Sequence, residues 1–167
     1  MRDRAVVVTA PGRIEIVETD AAPVPAGGFR ARTLFSGVSA GTELSFVKGT
    51  HPALHAGFDP VLGLFGGPPT ESYPVTRLGY METGAVVESR TAALPVGTRV
   101  AAPYGHATGY VANPAAEHVV PLPDDLDPVL GVYVAHMGPI CANGVLHAAA
   151  DAVGGPVRSL ADGVAGR

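Results

Sequence analysis

Leu78-Gly79-Tyr80-Met81-Glu82-Thr83-Gly84-Ala85-Val86-Val87-Glu88, followed by Leu94-Pro95-Val96-Gly97-Thr98-Arg99-Val100, is the stretch on which the reading of the fold turns. Gly84 to Glu88 is a candidate strand, and Thr98 to Ala102 is a second. Pro95 and Gly97 mark the turn between them, because both residue types interrupt the interior of regular elements. The same pattern extends in both directions. Upstream, Phe29 to Phe35 is a further candidate strand. Before it, the β-branched run Ala5 to Thr9, the Pro11-Gly12 turn and the alternating Arg13 to Glu18 predict a hairpin. Downstream, Glu117 to Leu122 closes the series ahead of Pro123-Asp124-Asp125. Many short strands with frequent turn signals imply a mainly β barrel or sandwich over residues 1–128.

Two stretches depart from this pattern. Gly57 to Pro74 is dense in glycine and proline without periodicity and reads as a long loop, a length that is often functional. Val129 to Ala150 is poor in charge and rich in Ala, Val and Leu, long enough for one or two helices. Pro139 should break or start one of them. Gly154 to Arg167 reads as a linker or terminus, so residues 129–167 form a helical segment and linker behind the barrel.

The 167 residues suffice for one domain with a sizeable core. With 47% hydrophobic and 16% charged residues, the chain is globular rather than disordered. A net charge of −4, with the eleven basic residues scattered, argues against a nucleic-acid partner. The single cysteine, Cys141, excludes an internal disulfide and fits a reducing compartment. The apolar stretch Ala5 to Ala10 is too short for a signal-peptide core, and no segment reaches the roughly 18 apolar residues of a membrane span. A soluble, cytoplasmic protein with no membrane partner is the expectation.

Four segments together resemble the medium-chain dehydrogenase/reductase family. Leu78 to Glu88 is similar to its Gly-His-Glu-x-x-Gly-x-Val-Val-Glu stretch, and Val96 to Val100 to its Gly-Asp-Arg-Val turn. Ala116 to Asp124 resembles the strand and proline turn that leave the family's GroES-like barrel. Ser36-Gly37-Val38-Ser39-Ala40-Gly41-Thr42-Glu43 sits where the family places Gly-x-Cys-x-Thr-Asp, and is also similar to a subgroup that includes bacteriochlorophyllide-type dehydrogenases, which act on secondary alcohols. The resemblance covers nearly the whole chain. It implies a partly open GroES-like β-barrel with a few helices, whose C-terminal helix or helices would lead into a Rossmann domain. It also implies NAD(P) as cofactor. None of the glycines present (Gly63, Gly66 and Gly67, or Gly154 and Gly155) has the preceding strand and following helix of a dinucleotide loop, so no cofactor-binding residue is expected in this chain. The Rossmann partner would lie in a longer chain or a separate one. A complete chain of this kind would be expected to form a homodimer.

A catalytic zinc needs about three ligands from Cys, His or carboxylate. The resemblance places the family's cysteine on Ser39, its histidine on Tyr80 and the neighbouring glutamate on Met81, with the third ligand position inside Met137 to Pro139. Zinc is therefore not expected, and no metal ligand is assigned. Thr42 falls on the family's proton-relaying hydroxyl and Glu43 on the adjacent aspartate. Tyr80 supplies a phenol able to donate to a carbonyl oxygen. Each has a plainer alternative: Glu43 bonding backbone amides at a helix start after Thr42, and Tyr80 packing as a wall residue.

Thr42, Glu43 and Tyr80 are the catalytic candidates, and Ser39, His106 and His136 are substrate-binding candidates. His106 lies in a turn after a strand, with a surface role as the alternative. His136 stands beside the expected third ligand position, with a core role as the alternative. His51 and His55 would share a face only in a helix that Pro52 and Gly57 oppose. His118 is expected to point outward on a strand, His147 to lie on the terminal helix and Cys141 to be a small buried hydrophobe. The leading reading is the substrate domain of a zinc-independent NAD(P)-dependent oxidoreductase acting on a ketone or secondary alcohol, with the Gly57 to Pro74 loop as a lid. The alternative is a stand-alone GroES-like domain turned into a non-redox enzyme (cyclase or lyase) or a binding or assembly protein, with Val129 to Ala150 covered by a partner or second copy.

Overall fold

The alternation of side chains along the central strands sets up two packed faces. The computed structural model describes residues 2–153; the Gly154 to Arg167 linker lies outside them. β1 (Arg2–Ala10) and β2 (Arg13–Asp20) form the hairpin the Pro11-Gly12 turn predicts, with Gly12 at φ 72°. β3 (Phe29–Ser36), β6 (Glu82–Ser89), β7 (Arg99–Ala102), β8 (Gly109–Ala112) and β9 (Val120–Pro121) make an antiparallel sheet in the order β8-β3-β6-β7-β9. Bridges Ala5↔Ala107 and Val8↔Val75 tie β1 across to it. The architecture is mainly β, built of antiparallel sheets with few helices.

On β6 and β7 the even-numbered residues face one side. Val86, Val100 and Ala102 join Phe29, Ala31, Leu94, Tyr110 and Ala112 in the main apolar cluster, and Phe29 meets Tyr110 edge-on at 6.1 Å. The odd-numbered Ala101 faces the other way, onto Leu122 and Ala135. A 3-10 turn, Leu130–Tyr133, covers that second face. Gly131 makes this approach possible: a Cβ there would fall 2.6 Å from both Leu122 Cδ1 and Thr83 Oγ1. Asp3 and Arg30 fasten β1 to β3, with Arg30 Nη2 2.5 Å from each carboxylate oxygen and both side chains mostly buried.

Three expectations are corrected. The Glu117–Leu122 strand shrinks to Val120–Pro121, because Glu117 turns its carboxylate back to accept the Asn113 N–H at 2.8 Å. His118 is accordingly exposed in the irregular segment before β9, not on a strand. β2 is exposed along its whole length despite its alternation, Ile16 being 70% exposed, while its partner β1 buries Val8 against Val75 and Leu78. Cys141 is exposed, because it lies on α2 (Met137–Val153), a helix that projects much of its surface to solvent. His147 also lies on α2, and Pro139 stands in its first turn, where the missing N–H has no partner to lose.

Within Gly57 to Pro74 the chain forms a small hairpin, β4 (Phe58–Asp59) with β5 (Leu64–Phe65), that exposes Phe58, Val61, Leu62, Leu64 and Phe65. Among the described residues no helix is long and apolar enough to cross a membrane.

Candidate functional site

The end of β3 and the first turn of α1 (Thr42–Lys48) bring most of the candidates together. The Gly37 N–H donates to Met81 O at 2.8 Å, which clamps the segment between β3 and α1 onto the start of β6. α1 opens without a side-chain cap and stops at Gly49, whose φ of 74° is the left-handed conformation glycine takes at no steric penalty. Glu43, in the first turn, is almost wholly buried. Its N–H donates to Ser39 O at 2.9 Å, and its Oε1 accepts the Ser39 N–H at 2.8 Å. The backbone-bonding reading of Glu43 describes one oxygen, since Oε1 serves the Ser39 amide, while Oε2 lies 2.6 Å from His106 Nε2.

His106 reaches Glu43 because its backbone is held on two sides. Its N–H donates to Leu78 O at 2.8 Å, and its carbonyl accepts the Val6 N–H at 2.9 Å. Gly79 packs under the ring at φ 97°, and a Cβ there would lie 3.0 Å from Nε2. With Nε2–H directed at the Glu43 carboxylate, Nδ1 is left to accept the Ser36 hydroxyl at 2.9 Å. The imidazole is about nine-tenths buried, while Ser36 is exposed. Ser36, His106 and Glu43 share a cleft of about 320 Å³ with the apolar Val6, Val38 and Leu44.

Ser39 continues the network. Tyr80 donates its hydroxyl to Ser39 Oγ at 2.5 Å, and the Tyr80 ring meets the His136 ring edge-on at 4.8 Å. Ser39 and Tyr80, far apart in sequence, are thus joined directly by a hydrogen bond. Of the sequence candidates, Ser39, Glu43, Tyr80, His106 and His136 come together. Thr42 does not join them; it is exposed, and its carbonyl accepts from Ser45 Oγ at 2.6 Å. His51 and His55 are separately engaged. His51 stacks on Phe46 at 3.7 Å and accepts from the Ala53 N–H, while His55 bonds Gly49 O. Burial lowers the His51 pKa, against a smaller opposing effect of Glu71.

Two features escaped sequence reasoning. Ser36 opens the Ser36 to Glu43 motif, and its one local signal is a hydroxyl at the end of a strand. Glu82 lies two residues ahead of the candidate strand Gly84 to Glu88, where the sequence alone assigns it no role. It is fully buried and accepts the Thr33 hydroxyl on Oε1 at 2.5 Å, while Oε2 has no partner. Burial pushes its pKa up to about 8, the Thr33 hydrogen bond partly opposing that rise. Among the described residues, no group of three or more His, Cys, Asp or Glu side chains is placed to hold a metal ion. Nor do they offer a dinucleotide cradle. Gly63, Gly66 and Gly67 belong to the β4–β5 hairpin region, and the sheets are antiparallel throughout, with no strand–loop–helix turn of the phosphate-binding kind.

No family model matches the chain, and no curated protein matches it in sequence. Solved structures do. An alcohol dehydrogenase from Thermus superposes with a TM-score of 0.64 at 15% identity, over 86% of this chain and 47% of that one. A protein from Sinorhizobium meliloti, described as a zinc-binding dehydrogenase and solved with NADP, gives 0.61 at 18%, over 87% and 45%. A quinone oxidoreductase from Coxiella burnetii gives 0.59 at 15%, over 88% and 46%. The fold is theirs. The chain spans less than half the length of each of these three proteins, and the likeness, at such identities, concerns fold alone.

Proposed function

We propose that this chain is the substrate-binding part of an NAD(P)-dependent oxidoreductase that acts on a ketone or secondary alcohol without zinc. The observation that carries the reading is the Tyr80–Ser39 hydroxyl pair. Because the Tyr80 O–H donates to Ser39 Oγ, the Ser39 hydroxyl proton is left to point elsewhere. A substrate carbonyl oxygen set beside it would receive a hydrogen bond from Ser39, reinforced by the phenol behind it. His136 packs against the Tyr80 ring and fixes its orientation. Hydroxyls are poor zinc ligands near neutral pH, so this pair favours hydrogen bonding over metal polarisation. The nicotinamide dinucleotide does not fit the described residues, so we place it on a Rossmann domain in a longer chain or a partner.

The test begins with the protein purified from its native source and its intact mass, followed by NAD(P)H oxidation with a panel of small ketones. Ketone-dependent oxidation is expected, and Tyr80→Phe should lower kcat/KM on the order of a hundredfold. Absence of turnover by the native protein with either cofactor would refute the reading. A non-redox enzyme is the second reading, favoured by the Ser36–His106–Glu43 arrangement.

A further inference from the structure

We propose that Ser36 is an acyl-accepting nucleophile, activated by His106 and oriented through Glu43, for small esters with apolar acyl chains. Such a nucleophile needs a base within hydrogen-bond reach and a third group that holds the base. Both contacts are present. His106 Nδ1 lies 2.9 Å from Ser36 Oγ, and Glu43 Oε2 lies 2.6 Å from Nε2. The buried Glu43 is fixed independently, since its other oxygen takes the Ser39 N–H. The imidazole can neither rotate away nor lose its tautomer without breaking that bond.

Exposure separates this arrangement from a structural cross-link. A cross-link buries both ends, whereas Ser36 is exposed at the cleft that Val6, Val38 and Leu44 line. A cleft of about 320 Å³ lies at the lower end of small-molecule pocket sizes. Its aliphatic walls suit a short alkyl chain, and charged acyl groups would lose hydration there.

The chemistry balances on these groups and water. Ser36 Oγ adds to the ester carbonyl carbon as its proton passes to His106 Nδ1. The tetrahedral adduct collapses, breaking the bond to the alcohol oxygen, and the alcohol leaves with that proton. Water then adds to the acyl-serine, again giving its proton to Nδ1, and the carboxylic acid departs as Ser36 recovers its proton. The net reaction is ester plus water to acid plus alcohol. Glu43 touches no reacting atom and is a positioning residue.

The test exposes the full chain, without any nicotinamide cofactor, to a fluorophosphonate probe and to p-nitrophenyl butyrate. Because no cofactor is present, the result is independent of the oxidoreductase reading. A single adduct on Ser36, found by peptide mass spectrometry, is expected together with release of p-nitrophenolate. Ser36→Ala, a surface change that leaves the core untouched, should abolish the adduct. His106→Asn should slow labelling on the order of a hundredfold. Glu43→Gln should lower kcat for the ester with KM unchanged, a split that general loosening of the fold would not produce. Absence of a Ser36 adduct on the folded chain, or labelling at the same rate in His106→Asn shown folded by circular dichroism, overturns the proposal.

Discussion

Glu82→Gln removes a proton-binding group from the barrel interior while keeping an oxygen for the Thr33 hydroxyl. In the folded chain burial holds the Glu82 pKa at about 8, against an ordinary value of 4.5. Between those values the folded carboxyl keeps its proton and the unfolded one loses it. The unfolded state then binds fewer protons, so stability falls as pH rises through this window and levels off above it. Each pH unit corresponds to about 1.4 kcal/mol. From pH 5 to pH 8 the parent chain should therefore lose about 4 kcal/mol through this one group, a large share of a typical domain's stability. The variant lacks that slope, and other titrating groups cancel in the difference between the two. Urea unfolding followed by circular dichroism across this range gives the comparison directly. The variant should gain on the parent by about 4 kcal/mol as pH rises. Parallel stability curves would mean that Glu82 is already ionised in the fold, and the reasoning from burial would fail.

Gly131→Ala should destabilise by about 2 kcal/mol, because its Cβ meets Leu122 and Thr83 at 2.6 Å; an unchanged thermal midpoint would contradict the packing described for the 3-10 turn. Asp3→Ala should remove about 3 kcal/mol, measured by chemical denaturation, since it strands the buried Arg30 guanidinium. Asp3→Asn should fall between the two, and equality of all three would show that the pair contributes nothing.

The fold was legible where local chemistry and tertiary packing agree. Pro11-Gly12 and the β-branched run before it specify the first hairpin, and β3, β6 and β7 each lie within a few residues of their expected bounds. β8 was not legible: Gly109–Ala112 is four residues opening on glycine, and it becomes a strand by pairing with β3. α1 was visible only as an alternative role for Glu43, because seven residues are too few to show a helical period. Of the candidate site, the residues flanking β3 and β6 could be placed by motif. The approach of His106 to Ser36 depends on segments seventy positions apart, which no local pattern records. Glu82 was invisible for a related reason, since a strand glutamate normally faces water and only the sheet register puts it inside.

The backbone of His106 is pinned to Leu78 on one side and to Val6 on the other. Those partners lie about thirty and a hundred residues away along the chain, so closing the contact with β1 demands one of the longest loops the polypeptide can make. Contacts of this separation form late and slowly in β-rich domains. In a refolding experiment, secondary structure should recover first, and reactivity at Ser36 should return only with the docking of the N-terminal strand. A deletion that trims β1 would therefore silence chemistry carried by residues far from it in sequence.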